Sequence, residues 1–174
     1  FFCDWETQFI AKPLAEAAGF KCWKGIVWRK GGLIGGGYHY RAMCEHILFF
    51  EKGKLPLRNW SDGDVLDAPT VCPVDCAVWL DERALRGNKS LWPTQKPWRL
   101  AEKLVLQSSV PGAVIMDPFM GSGFVGEAAL RNDRMFLGND LSADAVALAS
   151  SRLSALVPHH AGQDARAHAD SEQG

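Results

Sequence analysis

Residues 113–123 read A-V-I-M-D-P-F-M-G-S-G, and this stretch decides the predicted fold. Its first four residues form an apolar run that is typical of a buried strand, and Asp117 stands at the carboxyl end of that strand. Pro118 and the glycines Gly121 and Gly123 predict a tight turn directly after it. A short helix, rich in alanine, is predicted to follow the turn.

A second strand and a second acid come next. Residues 135–137 form another apolar run, which ends at G-N-D with Asp140 at the tip. Ser142 is predicted to cap a helix whose apolar positions include Val146 and Leu153. The order of strand, glycine turn, helix, strand and acid is that of one half of a dinucleotide-binding fold.

This arrangement suits a ligand that contains a ribose. Glycines let a ligand approach the backbone closely, and a helix start offers unpaired N–H groups. An acid about 20 residues after the turn, as Asp140 is, can accept hydrogen bonds from both ribose hydroxyls. The presence of Asp117 and Phe119 distinguishes this turn from the G-x-G-x-x-G fingerprint of nicotinamide enzymes. No G-K-[ST] follows, so the turn is not a P-loop either. The alternative is that the glycines only pack a helix on a strand in some other α/β protein.

Two motifs in this sequence resemble a known family. The letters D-P-F-M-G-S-G at 117–123 resemble the S-adenosylmethionine motif of amino-directed DNA methyltransferases, usually D-P-F-x-G-S-G-T-T. Upstream, P-T-Q-K-P at 93–97 resembles the family's other cofactor motif, which precedes D-P-F in the permuted class called β. Between residues 18 and 53, the segments A-G-F, W-R-K, E-H and K-G agree with the family in order and spacing. The resemblance covers residues 1–156.

The resemblance implies S-adenosylmethionine as cofactor. Its methionine part would lie near the two turn glycines, its ribose at Asp140, and its adenine against Phe119 and Leu141. Thr94 and Lys96 would lie near the amino-acid end. The full set of implied cofactor residues is Asp117, Pro118, Phe119, Gly121, Ser122, Gly123, Asp140, Leu141, Thr94, Lys96 and Pro97.

The sequence departs from the family in two places. Phe124 and Val125 replace the usual threonines after G-S-G, and Phe124 could instead fill the contact between helix and sheet. The family's catalytic tetrapeptide, Asp/Asn/Ser-Pro-Pro-aromatic, does not occur in this chain. We expect it upstream of Phe1, so that the catalytic residues are unknown and the domain is incomplete at its N-terminus. Adenine and cytosine targets cannot be separated without that segment.

Composition limits the class of protein. A chain of 174 residues with 47% hydrophobic residues fits one globular α/β domain. No run reaches transmembrane length and no signal peptide is recognisable, so we expect a cytoplasmic protein. The five cysteines are scattered and predict reduced thiols, and neither they nor the histidines predict a metal site. The net charge of −1 by itself predicts no polyanionic partner.

The first residues predict another part of the ligand edge. F-F-C at 1–3 reads as the end of a buried strand, and Asp4 follows at its carboxyl tip. That edge of an open α/β sheet faces the ligand crevice, so Asp4 either lines the active site or caps the next helix. The helix is predicted over residues 6–18, with Phe9 and Leu14 on its apolar side.

A hairpin with a glycine-rich link is the candidate surface for DNA. Its strands are predicted at 23–28 and 45–50, and the link contains five glycines and two tyrosines. From residue 21 to residue 58, eight basic residues stand against two acidic ones, a net charge of +6. Basic residues beside such a loop suit a DNA backbone and unstacked bases, which makes Lys30, His39 and Arg41 candidate contacts. The alternative is an ordinary solvated hairpin.

The remaining segments are predicted more coarsely. Residues 52–92 form a candidate target-recognition loop, with one short strand expected near 74–80. An amphipathic helix is predicted over 96–109. We expect the methyltransferase domain to span 1–157 and the polar tail, 158–174, to be disordered.

The predicted fold is therefore a doubly wound, mostly parallel α/β sheet of the Rossmann-like methyltransferase type, with an antiparallel edge hairpin. The implied function is methyl transfer from S-adenosylmethionine to the exocyclic amino group of adenine or cytosine in double-stranded DNA, with the target base flipped out. The alternatives are a cofactor- and DNA-binding module without catalysis, and an RNA or small-molecule methyltransferase of the same fold. The oligomeric state cannot be predicted.

Overall fold

A computed structural model describes residues 1–34, 38, 40, 42–59, 61–67 and 95–156 of the chain. Within these ranges the elements alternate in a mixed α/β order. They are β1 (Phe2–Cys3), α1 (Thr7–Ala17), β2 (Lys21–Ile34), β3 (Ala42–Glu51), β4 (Val65–Asp67), α2 (Trp98–Ser108), β5 (Val114–Asp117), α3 (Phe124–Arg131), β6 (Met135–Gly138) and α4 (Ala143–Ser154).

The described strands form a four-stranded sheet in the order β1-β3-β2-β4 and a two-stranded sheet, β5-β6. The predicted antiparallel hairpin is confirmed, since β2 pairs with β3 from Lys21 opposite Glu51 to Ile34 opposite Ala42. Both strands are longer than predicted, because backbone pairing continues past the apolar runs into the ends of the glycine-rich link. Apolar periodicity marks the buried part of a strand and not its paired length.

Strand β4 lies where a loop was expected. It pairs in parallel with β2, with Leu66 opposite Trp28. Leu66 is buried against Trp28, Ile47 and Leu100, and this burial holds the short strand in place. The strand predicted near 74–80, most of the candidate recognition loop and the tail 158–174 lie outside the described residues.

The glycine-turn unit folds as predicted. Strands β5 and β6 pair in parallel, with Asp117 opposite Gly138, and α3 connects them. The Ser142 hydroxyl accepts the Ala145 N–H at 3.3 Å, which confirms Ser142 as the N-cap of α4. Small side chains bring the helices close together, and Ala149 of α4 is fully buried.

Helix α2 joins the two sheets. Its Leu100 packs against the hairpin sheet beside Trp28, and its Ala101 and Val105 pack against Ala128 of α3. The ring of Phe124 packs into the same region and meets the ring of Phe2 edge-on, with 5.5 Å between centroids. Phe124 therefore fills the contact between helix and sheet, as predicted for the residue that replaces a threonine.

Two apolar surfaces are uncovered in the described structure. Helix α1 has no buried residue, so the predicted apolar side with Phe9 and Leu14 is largely exposed. The second surface is one face of the β5-β6 pair, where Val114, Met116, Met135 and Leu137 are all more than half exposed. Parallel strands are normally covered on both faces, and here the described helices cover one.

No helix in the described ranges is both long enough and apolar enough to cross a membrane.

Candidate cofactor site

The glycine turn is shaped by backbone conformations that favour glycine. Gly121 has φ 51° and Gly123 has φ 81°, both in the left-handed region. The Gly123 N–H donates to the Met120 carbonyl at 2.8 Å, and Gly123 itself precedes the first residue of α3. A Cβ atom on Gly123 would lie 3.1 Å from the Cβ of Ala149, so this position also lets α4 approach the turn.

Asp140 lies at the tip of β6 and braces the turn. Its Oδ2 accepts the Gly121 N–H at 2.9 Å, and its Oδ1 accepts the Ser142 N–H at 3.0 Å. The hydrogen bonds from Ser142, and then from Gly121, hold the pKa of Asp140 below its ordinary value. The carboxylate is therefore charged at neutral pH. The sequence predicted its position but not these two backbone contacts.

Asp117, at the tip of the neighbouring strand, has the opposite shift. Burial raises the pKa of Asp117, and the negative charge of Asp140 adds to that increase. A hydrogen bond from the Phe119 N–H, 3.0 Å from Oδ1, and the positive charges of the Phe1 ammonium and Lys96 act against it. Two carboxylates at adjacent strand ends thus differ in how readily they ionise.

The other predicted turn residues divide between surface and interior. Pro118, Phe119 and Leu141 are exposed at the strand ends, with 74% of Phe119 accessible. Ser122 and Gly123 are buried, and the Ser122 carbonyl accepts a hydrogen bond from Arg152 at 2.5 Å. Arg152 and its partner Glu127 are site-supporting residues that sequence reasoning missed. The only indication of this pair in the sequence is that a glutamate and an arginine, which have opposite charges, lie on the two predicted helices that follow the motif.

The upstream motif lies close to the same edge. The Lys96 ammonium is 3.7 Å from a carboxylate oxygen of Glu45 and 5.8 Å from the centroid of the Phe2 ring. Pro97 is buried and precedes α2, which begins at Trp98 and not at residue 96 as predicted. Thr94 lies outside the described residues.

At the start of the chain, Asp4 is exposed and its Oδ1 accepts the Thr7 N–H at 2.7 Å. This contact and the others from the first turn of α1 lower the pKa of Asp4. The geometry is the one that the helix-capping alternative predicted.

The candidate DNA surface is less charged than the sequence suggested. The Lys30 side chain is only 12% exposed and its ammonium pairs with Glu45. On β2, Arg29 donates to Asp67 at 2.7 Å. Further along the same strand, Lys24 pairs with Asp64 at 3.1 Å. Asp64 and Asp67 thus neutralise two cations of the hairpin, a pairing that their opposite charges in the sequence could have indicated.

The link between the hairpin strands is described only in part. His39 and Arg41 lie outside the described residues. The side chains of Tyr38 and Tyr40 are almost completely exposed, at 98% and 108% of their reference areas.

A second concavity lies elsewhere on the hairpin sheet. This groove, of 540 Å³, is lined by Trp23, Phe49, Leu57 and Leu104 among others. It contains none of the predicted cofactor residues.

A parallel strand pair with a positive-φ glycine turn and an acid at the second strand tip is the arrangement of a Rossmann-like fold. The chain belongs to the DNA methylase family of N6- and N4-methyltransferases, whose sequence profile matches residues 1–151.

Two curated relatives are Type II methyltransferases. M2.DpnII of Streptococcus pneumoniae is 31% identical over 146 residues, which are 80% of this chain and 54% of that protein. M2.LlaDCHI of Lactococcus lactis subsp. cremoris is 28% identical over 145 residues, 80% of this chain and 53% of that protein. The chain therefore spans about half the length of the curated relatives it matches.

Solved structures confirm the predicted fold class. The M1.HpyAVI–SAM complex has a TM-score of 0.66 at 24% identity and covers 87% of this chain and 72% of its own. PvuII DNA methyltransferase, which is cytosine-N4-specific, has a TM-score of 0.66 at 14% identity, with coverages of 86% and 61%. A putative DNA modification methylase from Thermus thermophilus, complexed with S-adenosyl-L-methionine, has a TM-score of 0.53 at 25% identity. The match covers 85% of this chain and 59% of that one.

Proposed function

We propose that this chain is the cofactor-binding part of a DNA methyltransferase. The enzyme would transfer a methyl group from S-adenosylmethionine to the exocyclic amino group of adenine or cytosine in DNA. The observation that carries the proposal is the brace between Asp140 and Gly121, which joins the tips of two adjacent strands in a chain of the DNA methylase family.

The residues present fit S-adenosylmethionine. A carboxylate offers about four lone-pair sites, so Asp140 can accept two ribose hydroxyls beside its two backbone donors. Exposed Phe119 and Leu141 flank it and would contact the adenine. Lys96 and Asp117 supply opposite charges suited to the amino-acid end. When bound, the cofactor supplies an electrophilic methyl group, and the chain's own residues bind and orient it.

We place the catalytic groups outside this chain. An aromatic amino nitrogen is a poor nucleophile, because its lone pair is delocalised into the ring. The family's tetrapeptide accepts the amino hydrogens and stacks on the flipped base, and the sequence contains no such tetrapeptide. The relatives are about twice as long as the matched region, which leaves room for it. The remainder of such a protein could also cover the exposed faces of α1 and of β5-β6.

For DNA, we propose that the tips of the hairpin, and not its sheet, make the contacts. Exposed Tyr38 and Tyr40 can stack on unpaired bases, and Arg41 and His39 adjoin them in sequence. Lys30, engaged with Glu45, has a supporting role in this scheme. Residues 52–92 would read the target sequence in double-stranded DNA with a flipped base. A cytoplasmic restriction–modification role is part of the proposal.

The proposal is tested by methyl transfer and by cofactor titration with the full-length protein. Asp140→Ala should weaken S-adenosylmethionine binding at least tenfold, since hydrogen bonds to a charged group are worth about 1.5–3 kcal/mol each. Asp144→Ala, an exposed acid in the next helix, is the matched control and should leave the affinity within about twofold. Equal affinities for both variants and the wild type would contradict the assignment of Asp140 as the residue that binds the ribose.

Methyl transfer from labelled cofactor to DNA separates the enzyme from a binding module. The full-length protein should label DNA, whereas the chain of residues 1–174 alone should not. The shorter chain should also melt at a lower temperature and associate, because its apolar faces are uncovered. Labelling by the short chain would overturn the placement of the catalytic groups. Cofactor binding without labelling by the full-length protein would favour the non-catalytic module.

A further inference from the structure

A buried cluster of charges joins the two helices that flank the cofactor turn. Glu127 of α3 is buried, and its Oε2 accepts a hydrogen bond from Nη2 of Arg152 in α4 at 2.9 Å. The Arg152 side chain is only 14% exposed. The other oxygen of Glu127 accepts from Arg131, one helical turn further along α3, at 3.0 Å. One buried carboxylate is thus shared by two arginines.

One of these arginines also reaches the turn. Nη1 of Arg152 donates to the carbonyl of Ser122 at 2.5 Å, across 30 positions of sequence. Within the described residues, no hydrogen bond joins Arg131 to the turn; its guanidinium lies 4.7 Å from the Trp98 ring. The two arginines therefore share Glu127 but differ in their contact with the cofactor motif.

The peptide that Arg152 holds precedes a glycine and can therefore reorient. A peptide flip between Ser122 and Gly123 changes ψ of Ser122 and φ of Gly123, and glycine tolerates either sign of φ. The carbonyl of Ser122 and the N–H of Gly123 lie in one peptide plane and point in opposite directions. Fixing the carbonyl therefore fixes the N–H, which donates to Met120 at 2.8 Å.

We infer that Arg152, oriented by Glu127, is a positioning residue that fixes the Ser122–Gly123 peptide for S-adenosylmethionine binding. The inference rests on the proposed function. Asp140 holds the Gly121 N–H from the tip of β6, and Arg152 holds the Ser122 carbonyl from α4. Two nearby peptides of the turn are thus fixed by groups from the strand and helix that follow it. Arg152 acts through the backbone and makes no contact with the reacting atoms.

The alternative is that Arg152 only pairs two helices, and Arg131 provides the matched control. Arg152→Met and Arg131→Met each remove one partner of Glu127, but only the first releases the turn. In the full-length protein, Arg152→Met should weaken S-adenosylmethionine binding at least tenfold by calorimetry, the loss expected for a charged hydrogen bond. Arg131→Met should leave the affinity within about twofold. Arg152→Lys keeps the positive charge beside Glu127, but a lysine cannot reach both Glu127 and the Ser122 carbonyl. This variant should therefore melt at nearly the wild-type temperature and still bind the cofactor as weakly as Arg152→Met.

A second measurement needs no cofactor. Hydrogen exchange of the Gly123 amide, followed in the free protein, should be at least about tenfold faster in Arg152→Met and Arg152→Lys than in Arg131→Met. Equal exchange in all three variants, or equal loss of affinity in the two methionine variants, would overturn the inference. If the wild type binds no S-adenosylmethionine while the exchange difference is present, the proposed function fails and the control of the turn by Arg152 stands.

Discussion

The glycine-turn unit, from β5 to α4, and the hairpin sheet, from β1 to β4, use their charged side chains in different ways. In the turn unit, charged groups hold backbone atoms of the motif, as Asp140 holds the Gly121 N–H. In the hairpin sheet, charged side chains pair mainly with one another, as Lys30 does with Glu45. The turn unit therefore presents a shaped backbone to a ligand, whereas much of the charge in the hairpin sheet is neutralised within the protein.

This difference separates two kinds of ligand contact. Binding at the turn should depend on backbone conformation and on a few carboxylate contacts, and should respond sharply to small changes there. Binding of DNA should depend on the exposed tip of the hairpin, and little on the paired cations of its strands.

The largest effect is expected at Gly123. Alanine there must adopt φ 81°, which costs roughly 1–2 kcal/mol, and its Cβ would lie 3.1 Å from Ala149. We expect Gly123→Ala to move the turn relative to α4 and to weaken S-adenosylmethionine binding by two orders of magnitude or more, as judged by calorimetric titration.

The matched control is Gly112→Ala. Gly112 has nearly the same φ, 79°, but apart from its chain neighbours no atom of the described residues lies within 4 Å of the position of its Cβ. This variant should lower the melting temperature and leave the affinity for S-adenosylmethionine unchanged. Equal affinities in the two variants would mean that the conformation of the turn does not control binding.

A smaller effect is expected on DNA binding. If Arg41 contacts a phosphate, Arg41→Ala should make the negative slope of log affinity against log salt shallower by about 1. Lys30→Ala should leave the slope nearly unchanged, because its ammonium is already paired with Glu45. It should instead lower stability, since it leaves a partly buried carboxylate without that partner.

Fluorescence anisotropy with labelled duplex DNA, over a range of salt concentrations, provides the slopes. A shallower slope in Lys30→Ala than in Arg41→Ala would reverse the assignment and return the paired sheet to the DNA surface.

The smallest effect is the pH dependence of stability, where Asp117 and Asp140 have opposite signs. The lowered pKa of Asp140 stabilises the fold above the unfolded value of about 3.9, and this contribution is lost as the pH falls through the lower, folded value. The raised pKa of Asp117 means that its ionisation destabilises the fold as the pH rises from about 3.9 through the higher, folded value.

Melting temperatures of Asp117→Asn and Asp140→Asn between pH 3 and pH 7 separate the two signs. Relative to the wild type, Asp117→Asn should become more stable as the pH rises, and Asp140→Asn should become less stable. Parallel pH profiles for both variants would contradict the difference between the two strand tips.

The sequence predicted the turn unit well because its determinants are local. Positive-φ glycines and an N-capping serine lie within a few residues of the groups that they control, and each acid directly follows its strand, so their spacing carries the geometry. The brace from Asp140 to Gly121 was not predicted, because it spans 19 residues and forms only where strand β6 places Asp140 beside the turn. The contact from Arg152 was missed because a helix face is needed to bring it to Ser122.

The hairpin sheet was predicted less well because its determinants are long-range. The net charge summed along the sequence treats Lys24 and Arg29 as free cations. Their partners, Asp64 and Asp67, come close only because β4 pairs with β2. Strand β4 has three residues and too short a pattern for periodicity to detect. Burial of Leu66 against Trp28 holds it in place, and that contact exists only in the folded sheet.

The most direct test of the central claim is the location of bound S-adenosylmethionine. Backbone amide NMR of the full-length protein, with and without the cofactor, reports every responding residue. We expect the largest shifts at the amides of residues 117, 119–123 and 140–142, and small shifts in the groove around Trp23 and Leu104. Shifts centred on that groove, with unchanged signals at Gly121 and Leu141, would contradict the assignment of the glycine turn as the cofactor site.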